Sequence, residues 1–372
     1  METDMLALLN KYRKPLMGFA ALCIYMNHAT AYMFSGYLIA PIEKFIVTTA
    51  FYCVDLFLFL AGIGQVFSIK KNSLKDFYVH RVKRLIFPFV LAGLLKLLAF
   101  YLNWGEESLN HYYRWTLGEF VKGVSGYSFV TENVCIHLWF IPAIIIFSAF
   151  FPLYYKIFSK FKNKYLFTGV VLIIWLAVSM LVLNKYMRQD IFALTNRIPV
   201  FVLGVLAGDL SYNKVQIKKT PLRIVELFII WLIGIAAFYI TQFRDVFVLV
   251  KLSNCFGPTL CRAISVAFLL PWAFDAFMRN KQVTNISSIV NKILIFYGKI
   301  TLEIYAIQEF LVYIVLNDFL GYECNTAIVN ILTLIVVTAC AVAVYFVNNF
   351  VQKGIEKLFR CGKPKEIKTA KN

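Results

Sequence analysis

Charge is scarce in this chain. Only 16% of its 372 residues are Asp, Glu, Lys or Arg, where soluble domains carry about 25%. Acidic charge is the scarcer sign: 20 Asp and Glu stand against 38 Lys and Arg, a formal net of +18. No stretch is polar enough to form a separate soluble domain of useful size, and no repeat or low-complexity linker divides the chain. The eight cysteines include no CxxC pair and no Cys/His cluster at metal-ligand spacing, so no metal site is expected. Cys255 and Cys261 flank FGPTL, which is not a zinc pattern. A disulfide among Cys135, Cys255 and Cys324 is allowed by their expected depth but has nothing to support it. A glycine-rich phosphate loop, a GxSxG elbow, an HExxH helix and a dinucleotide fingerprint are all missing, which argues against a phosphate-fuelled pump.

What the chain has is apolar length. Hydrophobic residues make up 60% of it, with 36 Phe and 21 Tyr, and its mean hydropathy is +0.70. Apolar runs longer than about 18 residues recur along the whole chain, the pattern of membrane-spanning helices. The expected fold is all-α: a polytopic integral membrane protein of about ten transmembrane helices. Length and breaks place them near 15–39, 44–68, 85–103, 137–156, 164–184, 192–210, 222–241, 257–278, 295–317 and 325–351. The segment 192–210 is the weakest, being short and carrying Arg197 and Pro199. The first apolar run is too long for a signal-peptide core and reads as a retained helix. One domain, 8–355, is expected to hold all ten helices, followed by a basic tail, 356–372, lying against anionic lipid.

The basic residues test this frame. With the N-terminus inside, 27 of the 38 Lys and Arg fall in inner segments and 7 in outer ones. Lys96, Arg197, Arg262 and Lys299 fall within spans. This asymmetry predicts cytoplasmic N- and C-termini. It also gives the net positive charge a membrane explanation, with no nucleic-acid partner.

An ionisable side chain at membrane depth is costly and marks a functional site. His28 lies near the middle of the first span, roughly 20 Å from its inner end at 1.5 Å per residue. Asp55 in the second span lies roughly 16 Å from the outer end, so the two depths match in a core of about 30 Å. Consecutive spans are usually neighbours, and a His28–Asp55 contact is expected. A carboxylate on one ring nitrogen orients the imidazole and raises the basicity of the other, which suits a general base acting on a hydroxyl. The plainer reading is a hydrogen-bonded pair joining two helices.

Other groups carry two readings each. Arg81 and Arg84, where the third span enters from inside, suit phosphate recognition or are ordinary inner-face charge, and His80 beside them reads as exposed. His137 and Trp139 open the fourth span; Trp139 taken alone is an interfacial anchor. Arg197 faces substrate or snorkels. Gly204 and Gly208 make a small-xxx-small pattern for close helix packing. Lys299 and Glu303 are four apart, share a helix face and are placed to neutralise each other. Arg262 and Asp275 sit towards opposite ends of one span and read as boundary residues.

Several of these motifs fall in order: NHA around His28, VDLFLFLAG around Asp55, FYVHRVKRLIFPF with Arg81 and Arg84, HLWFIPA around His137, RIPVFVLGVLAG around Arg197, and GKITLEIYAIQ. Together, over about residues 15–350, they resemble the acyltransferase family 3 membrane proteins, which O-acylate bacterial cell-surface carbohydrates. The resemblance implies a membrane-bound O-acyltransferase of the bacterial inner (plasma) membrane. Its donor is acyl-CoA, acetyl-CoA foremost, and its acceptor is a glycan or lipid-linked sugar; no metal is implied. It implies catalytic roles for His28 and Asp55, and CoA phosphates held by Arg81 and Arg84. His137, Trp139, Arg197 and Glu303 are expected at the acceptor. Three positions depart from the family pattern. Met17 stands where members have an arginine eleven positions before the histidine, and Lys14, a turn earlier, is the expected substitute at the donor. Ala61 replaces a frequent serine, and Gln308 stands where many members have a second histidine.

The acyl group is expected to reach the acceptor directly or through an acyl-enzyme on His28. Rival readings are a proton-coupled transporter or exporter of a glycan precursor, with His28, Asp55 and Glu303 as its relay, and an inactive scaffold. The acceptor's identity and whether the chain forms a homo-oligomer are left open by the residues.

Overall fold

A computed structural model describes residues 4–31, 52–112, 140–179, 181, 194–243, 258–280, 282, 284–313 and 327–361. Every regular element among these residues is a helix. In chain order they are α1 (Met5–Lys11), α2 (Arg13–Ala31), α3 (Cys53–Lys71), α4 (Leu74–Tyr112), α5 (Phe140–Lys160) and α6 (Lys164–Val178). There follow α7 (Ile198–Tyr212), α8 (Pro221–Phe243), α9 (Pro258–Arg279), α10 (Thr284–Lys299), α11 (Thr301–Tyr313) and α12 (Ala327–Cys361). By length and composition, four of them carry segments that could cross a membrane: Cys53–Lys71, Phe140–Lys160, Leu260–Arg279 and Ile331–Gly354. His137, Trp139, Cys135, Cys255 and Cys324 lie outside the described residues.

Local chemistry sets several helix ends. Ser73 precedes α4; its hydroxyl accepts from the Asp76 backbone N–H (3.1 Å) and donates to the Asp76 carboxylate (2.7 Å). This reciprocal cap starts the helix eleven residues before the expected span at 85. Asn163 caps α6 by accepting from Leu166 N–H at 2.9 Å. Pro199 sits in the first turn of α7, where a missing N–H costs nothing, so the doubtful sixth span is a regular helix. Asp4 caps α1, accepting from the N–H groups of Leu6 (3.1 Å) and Ile217 (3.0 Å), and so pins the N-terminus to the segment after α7.

Two expectations need correction. The single span 295–317 is two helices, α10 and α11, divided at Ile300. Residues read as an inner loop, 284–294, are the first turns of α10. The C-terminal helix continues to Cys361, into the segment read as tail. Short α1 was not foreseen either; its apolar side is buried through Met5, Leu6, Leu8 and Leu9.

The centre of the fold is the packing of α3 on α7. Gly62, Gly204 and Gly208 let the two backbones touch. A Cβ on Gly62 would lie 2.7 Å from the Phe201 carbonyl oxygen, and one on Gly208 would lie 2.8 Å from the Ile63 Cα. Phe59 faces Gly204 and Ile63 faces Gly208; the register rises together, so the two helices run parallel. The small-xxx-small reading is met. A Cβ at Gly204 would fall on the Phe59 carbonyl, and backbone cannot move aside cheaply. Gly204→Ala should therefore cost about 1–3 kcal/mol by overpacking. It should appear as a lower melting temperature of the purified protein; an unchanged melt would show that the seam can open.

Polar ties reinforce the core. Gln65 on α3 donates to the Ser148 hydroxyl of α5 at 2.9 Å, and the Tyr155 hydroxyl donates to Asp209 of α7 at 2.6 Å. Asp275 lies near the end of α9, as expected, but it is engaged within the protein. It is buried and accepts from Lys11 (3.0 Å) and Tyr12 (3.1 Å), while Arg279 pairs with it at 2.8 Å. The hydrogen bond to Asp275 holds the Lys11 ammonium above its ordinary pKa, and the cluster locks α1 to α9.

Candidate active site

His28 lies in the last turn of α2. Its Nδ1 is 2.9 Å from the Gln308 amide nitrogen on α11. Its ring also meets Tyr305, one turn earlier on α11, at 6.3 Å between centroids. Gln308 is fully buried, and its Oε1 has no hydrogen-bond partner. The departure from the family pattern at 308 thus touches the one histidine that the sequence singles out most strongly.

Asp55 does not meet His28. It sits in the first turn of α3, fully buried, and pairs with Arg197 Nε at 3.5 Å. Arg197 is the N-cap residue of α7, so the parallel α3–α7 seam brings these two helix starts together. Arg262 of α9 is completely buried, with its guanidinium over the Tyr52 ring at 5.2 Å, and its charge acts on Asp55. Arg262 lies near the start of α9, as expected, but it is buried within the protein. The expected pair fails because α3 begins at Cys53, which puts Asp55 at the start of its helix beside Arg197 of another one.

A cavity of about 470 Å³ opens on another side of α3, between α2, α4, α5, α11 and α12. Its residues fall into two zones. Arg13, Arg81, Lys83, Arg84 and Lys299 give one zone many cations, with His80 and the acidic Glu303 among them. Phe57, Phe140 and Tyr305, in ring-to-ring contact, make the other zone aromatic. The Arg81 guanidinium lies 5.2 Å from the centroid of the Phe77 ring, itself fully buried, which holds the charged end of the side chain. Gln352 of α12 donates to the Lys83 carbonyl at 2.9 Å and ties α12 to α4 at this rim.

In the sequence Arg13 is indistinguishable from ordinary inner-face charge, and nothing there marks it as a site residue. It lies one turn before Met17 on the same face of α2, and both line the cavity. Its guanidinium donates to the Leu60 carbonyl at 3.1 Å and occupies the space that a side chain at position 64 would need; Gly64 leaves it open. Lys14, the expected substitute for an arginine at 17, is exposed and does not line the cavity; its carbonyl packs against Gly298 instead. Of the two basic residues about one turn before Met17, Arg13 is the one that lines the cavity.

Arg81, Arg84 and Glu303 come together in the cavity as cationic and acidic lining. His80 is exposed, as expected, but at the cavity rim. Lys299 and Glu303 also line it without forming an ion pair, because the break at Ile300 puts them on different helices. Glu303 instead feels the charge of Arg84. Among the described residues no group of His, Cys, Asp and Glu is placed to hold a metal ion.

The molecule is thus a helical membrane protein with a cation-rimmed cavity whose apolar end abuts the neighbour of a half-buried histidine. A family model described as an acyltransferase domain, that of acyltransferase family 3, matches residues 16–347. The chain belongs to that family and is an acyltransferase. Comparison with curated proteins and with solved structures gave no match.

Proposed function

We propose that this protein transfers an acyl group, acetyl foremost, from cytoplasmic acyl-CoA to a hydroxyl of a cell-surface or exported glycan. The observation that carries this reading is the two-zone cavity. Acyl-CoA has a polyanionic nucleotide end and a nearly neutral pantetheine arm ending in a thioester. The rim cations suit the first, with Arg81 and Arg84 presenting planar forks to phosphate oxygens. The apolar zone suits the second and leads to Tyr305, which touches His28.

His28 serves as the base. For Nε2 to accept a proton, Nδ1 must carry one. Gln308 meets that need when its amide turns half a rotation, so that Oε1 accepts from Nδ1–H. The acceptor hydroxyl gives its proton to Nε2 while its oxygen attacks the thioester carbonyl. The new C–O bond forms, the C–S bond breaks, and the proton leaves with the CoA thiolate. An acyl group carried first on the His28 ring would balance in the same way in two steps.

The ten-span frame with both termini inside is supported by helix directions. As second and sixth spans, α3 and α7 should run the same way, and they do. As first and ninth, α2 and α11 should ascend together, and the His28–Gln308 contact lies near the end of α2 and well along α11. This frame puts Arg81 and Arg84 at the inner face of the bacterial plasma membrane, where CoA is found, with anionic lipid against Lys70 and Lys71. The transporter reading loses its relay, since Asp55 is bound to Arg197 and Glu303 lies in the donor cavity.

The test is transfer of labelled acetyl from acetyl-CoA into glycan by membranes that carry the protein. The double change Arg81→Ala/Arg84→Ala should raise the donor KM by roughly 100–1000-fold, if each lost charge-assisted contact is worth about 1.5–3 kcal/mol and the two do not add fully. It should leave kcat nearly unchanged, because these contacts hold ground and transition states alike. A loss confined to kcat would place the arginines elsewhere in the cycle.

A further inference from the structure

We propose that Phe57, Phe140 and Tyr305 restrict the transferred acyl group to a short one, of the size of acetyl or propionyl; this rests on the acyl-CoA reading above. The three rings form a continuous wall. Phe57 meets Phe140 at 6.0 Å between centroids, and Phe140 meets Tyr305 edge-on at 5.3 Å. All three are buried and all three line the cavity. Each lies one helical turn, about 5–6 Å, from a second lining residue: Phe57 from Ala61 on α3, Phe140 from Ile144 on α5, Tyr305 from Thr301 on α11. Three helices thus supply the same step from a mixed layer to an aromatic one.

The wall also fixes where the chemistry can occur. Tyr305 lines the cavity and also meets the His28 ring, while His28 itself is not among the residues lining it. A thioester brought within reach of His28 must therefore lie at Tyr305, with its alkyl end against Phe140 and Phe57. Acetyl asks this wall for the space of one methyl group. Longer chains ask buried aromatic rings, each held by the next, to move. In an apolar pocket one methylene discriminates by roughly 10–200-fold, and a tightly packed wall resists added volume.

The experiment compares transfer from acetyl-, butanoyl- and octanoyl-CoA by membranes with the wild-type chain, Phe140→Ala and Phe140→Leu, at matched amounts of folded protein. The wild type should use octanoyl-CoA at least about tenfold less well than acetyl-CoA in kcat/KM. Phe140→Ala should narrow that ratio by about tenfold, and Phe140→Leu, which keeps more of the volume, should narrow it less. Should Phe140→Ala fail to accumulate, the leucine variant alone decides. Equal use of all three donors by the wild type overturns the proposal and leaves the acyltransfer reading standing. So does an unchanged ratio in the variants. No transfer from any acyl-CoA by the wild type, in membranes that hold acceptor, overturns both.

Discussion

His28→Ala should lower acetyl transfer by about 10²–10⁴-fold, the range that a positioned general base contributes. If the ring carries the acyl group, the loss should be complete. The donor KM should change little, because His28 does not line the cavity that holds the donor. Gln308→Leu should fall between wild type and His28→Ala, by about 10–100-fold as for other groups that orient a reacting imidazole. It removes the partner of Nδ1 but leaves the ring in place. The measurement is incorporation of labelled acetyl from acetyl-CoA into glycan, with each variant at equal levels in the membrane. Wild-type rates in His28→Ala would remove the histidine from both routes. Wild-type rates in Gln308→Leu would show that the ring is held by other contacts.

The second large effect is on folding. Asp55 is fully buried beside Arg197, with Arg262 close enough to act on it. Asp55→Ala removes the buried carboxylate on which both Arg197 and Arg262 act. Breaking a buried pair by removing one partner costs about 3–5 kcal/mol, so the variant should accumulate poorly and melt well below wild type in detergent. The double change Asp55→Leu/Arg197→Leu should recover part of that loss, since it removes a charge with its partner. It should not recover all of it, because Arg262 remains. Fluorescence-detected size exclusion and thermal melts read both effects. A stable, monodisperse Asp55→Ala that has lost only rate would return Asp55 to the chemistry, as the sequence first suggested.

The site was legible in the sequence where one residue type is expensive in its surroundings. His28 inside an apolar run stands out because few reasons justify an imidazole there. Arg81 and Arg84 stand out less, since inner-face charge looks the same whether or not it binds phosphate. For that reason Arg13 passed unnoticed among its neighbours. What sequence spacing could not supply was pairing across distance. Depth arithmetic matched His28 with Asp55, but it assumed a span starting near 44, and α3 begins at Cys53. The Lys299–Glu303 relation assumed one unbroken helix, and the break at Ile300 carries neither proline nor glycine at its own position to announce it; Gly298 was the available hint. Gly204 and Gly208 were read correctly because close backbone approach is a local demand that few residues other than glycine can meet.

The parallel seam between α3 and α7 bears on how the protein is made. About 140 residues separate Asp55 from Arg197, so a ribosome working at about 5–20 residues per second needs roughly 7–30 seconds to deliver the arginine after the aspartate. Throughout that interval α3 stands with a carboxyl group lacking its guanidinium, and with a glycine groove lacking the helix that fills it. The growing chain must find shelter for both in the insertion machinery or in neighbouring lipid headgroups. Biogenesis of this enzyme therefore hinges on the arrival of α7, and pausing translation just before residue 197 should yield a nascent protein that quality-control proteases remove.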